Sequence, residues 1–169
     1  MSNPLQLVPK AAATISPVEE IVAELKAGRM VILVDEEDRE NEGDLIIAAE
    51  KITPEKMAFM VRYTSGVICL PMEGDRLDDL NIPLMVAGNE NTEVQRTAFT
   101  VSIDYRHGTT TGISAADRAA TILAMLDPAS RPADFARPGH IFPLRYRPGG
   151  VLRRAGQLDR KSTRLNSSH

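Results

Sequence analysis

Asp35–Asp44 reads DEEDRENEGD, seven carboxylates in ten residues, with Arg39 in the middle and Gly43 next to the end. Like charges this close repel, so a folded chain keeps them together with a cation, a solvated face or both. The flanks are apolar: Met30–Val34 (MVILV) before and Leu45–Ala49 (LIIAA) after, each predicted as a buried strand. Acids clamped between two core strands are held rigidly, as a hard divalent cation requires; a solvated turn is the plain alternative. An EF-hand places its glycine mid-loop and continues into a helix. Here the glycine comes late and a strand follows, which excludes it.

Working outward, 169 residues suffice for one domain with its own core, and 43% hydrophobic with 25% charged residues is the balance of a globular protein. No apolar stretch reaches the length of a membrane span, and the N-terminus lacks the layout of a secretory signal. A single cysteine, Cys69, excludes an internal disulfide framework and fits a reducing compartment. The formal charge of −3, with no basic stripe, argues against nucleic acid as the main partner. The chain is expected to be cytoplasmic, without membrane or nucleic-acid partners.

Ser16-Pro17-Val18-Glu19 has the form of a capping box, and Val18, Ile21, Val22 and Leu25 carry a helix to about Ala27, stopping at Gly28. Thr53-Pro54 opens a second helix to about Tyr63, with Met57, Met60 and Val61 as its apolar face. Gly66–Leu70 (GVICL) predicts a short buried strand, and a short helix fits Arg76–Leu80. Ala87–Thr97 reads as a polar, mobile connection. Phe99, Val101 and Ile103, alternating with Thr100 and Ser102, predict a half-buried strand. Ser114 with Asp117 starts a helix whose core positions are Ala119, Ile122, Leu123 and Leu126, ended by Asp127-Pro128. Ile141–Arg145 (IFPLR) predicts a strand. Helices and strands alternate without a repeating βαβ unit, so a single mixed-sheet α/β (α+β) domain is expected.

Residues 1–15 are expected to be a flexible N-terminus and 16–158 the domain. Asp159–His169 (DRKSTRLNSSH) is polar, without apolar period, and its codons can be written to resemble a sequencing-library adapter. Residues 159–169 are therefore expected to be translated adapter, with the native reading ending at about Gln157 or Leu158; a natural disordered tail is the plain alternative.

Chemistry outside the acidic stretch has several candidates. Thr109–Gly112 (TTTG) runs into the Ser114 helix start, where free N–H groups bind anions, although Ser114 is equally explained as an N-cap. Arg137-Pro138-Gly139-His140 places a histidine in a Pro-Gly turn, either as general acid or base or as an exposed turn residue. His107 has no supporting neighbours and reads as surface. Cys69 reads as a small core residue before an active-site one. Arg153-Arg154-Ala155-Gly156, after Gly149-Gly150, suits a phosphate or carboxylate. A carboxylate cation site, an anion-binding arginine and a base together fit a small phosphorylated, polyhydroxy substrate.

DEEDRENEGDLI (Asp35–Ile46), TTTGISAADR (Thr109–Arg118), RPGHIFPLR (Arg137–Arg145) and GGVLRRAG (Gly149–Gly156) together resemble the 3,4-dihydroxy-2-butanone 4-phosphate synthase family of riboflavin biosynthesis. The blocks follow the family order and span nearly all of the native-looking chain. The resemblance implies a three-layer domain with a mixed sheet flanked by helices. It implies a lyase converting D-ribulose 5-phosphate to L-3,4-dihydroxy-2-butanone 4-phosphate and formate with Mg²⁺ or Mn²⁺, in a homodimer. Glu40 would be the metal ligand. Arg39, Glu40, Asp44, Thr111, Arg154 and Gly156 would contact substrate, and His140, Asp44 and Glu40 would carry catalysis.

The family continues R-x-G-H-T-E, its histidine being a second metal ligand. Here those positions are Gln157, Leu158 and Asp159, which implies half a metal site and negligible turnover by this chain. The competing class is a non-catalytic module that binds a divalent metal or a sugar phosphate.

Overall fold

The structure, a computed structural model, describes residues 15–34 and 42–146. Its elements are α1 (Val18–Lys26), β1 (Val31–Val34), β2 (Gly43–Ile46), a 3₁₀ turn (Ala49–Lys51), α2 (Pro54–Tyr63), β3 (Cys69–Met72), α3 (Gly74–Asp79), β4 (Ile103–Tyr105), α4 (Ala115–Leu126), a second 3₁₀ turn (Pro132–Asp134) and β5 (Phe135–Arg145). β5 is the centre of a mixed sheet in the order β3-β5-β4, parallel to β3 and antiparallel to β4. α4 packs on β4 and β5, and α2 packs on α4. Met57, Leu77, Leu80, Ile82, Ile103, Met125 and Ile141 are fully buried, each contributing about 1.5–3 kcal/mol by leaving water. The α+β class with a mixed sheet and helices is as the sequence predicts.

β1 and β2 form a separate antiparallel ribbon, with Leu33 opposite Asp44. These two runs are not buried strands as expected: Ile32 is 67% and Val34 55% exposed. Among the described residues they pair only with each other and present one face outward. LIIAA also divides, Leu45 and Ile46 staying in β2 while Ala49 enters the 3₁₀ turn.

Pro17 itself occupies the cap of α1 without a side-chain cap bond, so the Ser16 box is not formed; Ser16 sits one residue too early. The far end closes as read. Gly28 at φ +76 lets its own amide donate to the Leu25 carbonyl and that of Arg29 to the Glu24 carbonyl, both at 2.9 Å, the left-handed glycine stop. Lys56 Nζ then donates to the Gly28 and Lys51 carbonyls, each at 2.9 Å, tying α1 to α2.

Several inward faces differ from the predicted ones. Ile68, Leu70 and Met72 take the core side at β3, so Cys69 is exposed rather than a core residue. Strand β3 starts three residues later than predicted and ends two later. On α2, Met57 is buried but Val61 is exposed; on α4, Leu123 and Leu126 are exposed while Asp117, Thr121, Ala124 and Met125 turn inward. Thr121 draws that face round: its hydroxyl accepts from the Tyr105 amide at 2.9 Å and donates to the Asp117 carbonyl at 2.9 Å. The loop through Ala87–Thr97, expected as mobile, is organised around Glu93, whose carboxylate accepts from the Gln95 amide at 2.7 Å and the Thr97 amide at 2.6 Å.

The largest departure concerns Phe99–Tyr105 and β5. Thr100 and Ser102, expected outside, are buried. The Thr100 hydroxyl donates to the Pro143 carbonyl at 2.9 Å, and Ser102 Oγ accepts from the Gly139 amide at 3.1 Å. β5 begins at Phe135, six residues before the predicted Ile141. Arg137-Pro138-Gly139-His140 is therefore strand rather than turn, with a cis Arg137–Pro138 peptide and a register shift opposite Ile103/Asp104.

Candidate active site

That shift brings β5 hard against β4. An alanine Cβ at Gly139 would stand 2.1 Å from the Ile103 carbonyl carbon and 2.4 Å from the Asp104 nitrogen, so only glycine allows the two backbones this close. The next residue is His140. Its amide donates to Asp104 Oδ1 at 2.8 Å, and its ring Nδ1 pairs with Asp104 Oδ2 at 2.7 Å. Asp104 is 8% exposed, so one nearly buried carboxylate seats both backbone and ring of one histidine. Facing a carboxylate, Nδ1 is the ring nitrogen that donates, so in the neutral imidazole the lone pair is on Nε2. Among the described residues, Nε2 has no hydrogen-bond partner.

His140 opens on a cavity of about 380 Å³ lined by Asp104, Thr109, Thr110, Thr111, Ala136 and Pro138, with Tyr105, Arg106 and Gly112 at the same wall. Gly112, at φ +87, lies directly on the Asp104 carboxylate; an added Cβ would fall 1.9 Å from Oδ2. The threonine loop thus covers the seat of the histidine.

Asp117 shapes that loop. Its carboxylate accepts from the Thr110 amide (3.2 Å), the Thr110 hydroxyl (2.7 Å) and the Gly112 amide (3.1 Å), while its own amide donates to Ser114 Oγ at 3.0 Å. Ser114 is an N-cap, and the loop donors that an outside anion would seek are taken by an internal one. The Thr110 hydroxyl foremost, then the Thr110 and Gly112 amides, hold the Asp117 carboxyl below its ordinary range, against the opposing effect of burial. A group lowered on folding stabilises fully above its unfolded pKa and loses that contribution as pH falls through the lower folded value. Acid titration of the melting temperature should therefore fall more steeply for the wild type than for Asp117→Asn; parallel curves would contradict this role.

His107 lies at the surface as expected, yet it has neighbours: Nε2 pairs with Asp134 Oδ1 at 2.9 Å, and the Tyr105 ring meets it edge-on at 5.3 Å. The Arg131 amide first, and His107 second, lower the Asp134 carboxyl.

Of the residues singled out from sequence, His140 and Thr111 share the cavity. Asp44 is half-buried on β2 opposite Leu33 and is not in the cavity lining. Arg39, Glu40, Arg154 and Gly156, like the Gln157–Asp159 departure, lie outside the described residues. Among the described residues no three His, Cys, Asp or Glu side chains are grouped to hold a metal, and no helix is long and apolar enough to cross a membrane. Sequence reading missed Asp104. Its signal was the polar series Thr100, Ser102, Asp104 at spacing two, each side chain satisfied by β5.

An α+β domain with a carboxylate-steered histidine over a hydroxyl-lined cavity has the makings of an acid–base enzyme for a small polar molecule. The chain belongs to the 3,4-dihydroxy-2-butanone 4-phosphate synthase family, whose model matches residues 19–161. It is 58% identical to the 3,4-dihydroxy-2-butanone 4-phosphate synthase of Agrobacterium fabrum over 86% of this chain and 68% of that one. It is also 58% identical to the probable bifunctional riboflavin biosynthesis protein RIBA 1, chloroplastic, of rice, over 85% of this chain. The chain spans only 27% of that rice protein's length. A solved 3,4-dihydroxy-2-butanone 4-phosphate synthase in complex with two magnesium ions superposes with a TM-score of 0.81 at 46% identity, over 86% of this chain and 67% of that one.

Proposed function

We propose that this chain carries the acid–base part of a lyase that converts D-ribulose 5-phosphate to L-3,4-dihydroxy-2-butanone 4-phosphate and formate. The two products together hold the atoms of the substrate, so no outside oxidant or reductant is needed. The observation that carries the reading is the Asp104–His140 pair at the cavity, supported by family membership, which favours a lyase over a non-catalytic binding module. Enolisation next to a ketone needs a base within reach of the α-proton, and Nε2 of His140 is the group on offer. Asp104 acts through His140, fixing its orientation and steadying the ring once it takes up a proton. Thr111 supplies a hydroxyl to the same space.

A divalent cation, Mg²⁺ or Mn²⁺, fits the donor chemistry of the 35–44 stretch, since carboxylate oxygens are what hard cations take. Asp104 does not fit that role, because both its oxygens are engaged by His140. Glu40 would hold the ion, with Arg39, Asp44, Arg154 and Gly156 at the substrate. When bound, the ion would lend positive charge to developing oxyanions. With Gln157, Leu158 and Asp159 where relatives of this family carry H-T-E, formate release by this chain is expected to be negligible. A homodimer in the cytoplasm completes the proposal.

The test is histidine-ring NMR of the 169-residue chain titrated with D-ribulose 5-phosphate in Mg²⁺. Saturable movement of the His140 resonances, absent in His140→Gln, is expected. A His140 signal unmoved at high sugar phosphate would overturn the reading.

A further inference from the structure

We infer that Arg106 is an anion-binding residue of the cavity and takes the phosphate end of its ligand, an inference that rests on the sugar-phosphate reading above.

Most polar groups at and next to the cavity wall are engaged with one another. Asp104 is consumed by His140, and Asp117 by Thr110 and Gly112. The Thr109 hydroxyl donates inward to the Tyr105 carbonyl at 2.5 Å, and that of Thr110 donates to Asp117 at 2.7 Å. Three side-chain donors remain at the lining: the Thr111 and Tyr105 hydroxyls, which have no hydrogen-bond partner among the described residues, and the Arg106 guanidinium, the one that carries charge. Among the described residues, Arg106 is the one lysine or arginine in that lining.

Its backbone is fixed, the amide donating to the Asp134 carbonyl at 2.9 Å. Its side chain makes one long contact, Nη1 to the Ala133 carbonyl at 3.4 Å. The remaining guanidinium donors are unengaged among the described residues. No carboxylate pairs with it there, although Asp134 lies close in the chain to its contact and is itself held by the Arg131 amide at 2.7 Å and by His107. An arginine with spare donors, beside hydroxyls not engaged among the described residues, matches a phosphate monoester, which accepts several charge-assisted hydrogen bonds; the Asp104 and Asp117 oxygens are already turned to internal donors and do not pair with it. Arg106 would thus make the cavity select the phosphorylated sugar over the free one, adding to the contact expected from Arg154.

Calorimetric titration of the wild-type chain, Arg106→Ala and Arg106→Lys with D-ribulose 5-phosphate, free D-ribulose and inorganic phosphate tests this. Arg106→Ala should weaken ribulose 5-phosphate by about tenfold to a hundredfold, leave free ribulose unchanged, and be partly rescued by lysine. Amide spectra of Thr110 and Gly112 should match the wild type, showing that the loop is intact. If wild type binds ribulose 5-phosphate and Arg106→Ala binds it equally, the inference falls while the functional reading stands. If phosphate binds through Arg106 but ribulose 5-phosphate does not bind, the anion site stands and the sugar-phosphate reading falls. Failure of both ligands to bind the wild type sinks both.

Discussion

Gly139→Ala is expected to be among the most damaging single-methyl changes in the molecule, costing about 3 kcal/mol or more of stability. The new Cβ would meet the backbone of Ile103 and Asp104, atoms that cannot swing aside as a side-chain tip could. Relief requires prising β5 from β4 at the point where Ser102 accepts from the Gly139 amide and Asp104 from the His140 amide. Stability and site should therefore fail together. Urea unfolding would show a lower midpoint, and the His140 ring signals would move toward those of an unpaired histidine. A loss below about 1 kcal/mol, within the range of an ordinary tolerated substitution, would mean that the strands are not this close.

Asp104→Asn is expected to preserve the fold and damage the chemistry. Asparagine offers an N–H where the carboxylate offered an oxygen, so the imidazole is pushed toward the tautomer with its proton on Nε2. The base then points its lone pair away from the cavity. In a chain joined after Gly156 to the remaining part of the Agrobacterium relative, kcat should fall by about a hundredfold or more with KM little changed. Asp104→Glu is the control, since a carboxylate is retained. A purely structural Asp104 would instead lower stability and leave the kcat of the folded fraction intact.

The far ends of α1 and α4, the α2 cap and the order of elements were legible because they rest on local chemistry: Thr53 before Pro54, Gly28 after Lys26, Asp127 before Pro128. Inward faces were less so. Leu123 and Leu126 looked like core by spacing, but Thr121 and Asp117 rotate α4 to serve the loop and β4, a choice made by partners outside the helix rather than by its own apolar period. The same is true of β5. Pro-Gly reads locally as a turn, and only the opposing Ser102 and Asp104 explain why it is extended. His140 was found by its motif. Asp104 was not, because its one local mark, the spacing-two series Thr100, Ser102, Asp104, reads as the solvent face of a strand until β5 is opposite it; its partner lies 36 residues away. The β1–β2 ribbon shows the limit of hydropathy: MVILV promises burial, yet among the described residues Ile32 and Val34 lie exposed on a two-stranded ribbon.

The decisive measurement is formate release from D-ribulose 5-phosphate by the joined chain just described, with Mg²⁺ present and after its removal by chelation. Formate should appear in step with sugar consumed when Mg²⁺ is present. It should cease on chelation, return on adding the ion back, and be lost in His140→Ala. Undiminished formate after chelation, or full activity without the His140 imidazole, would contradict the account.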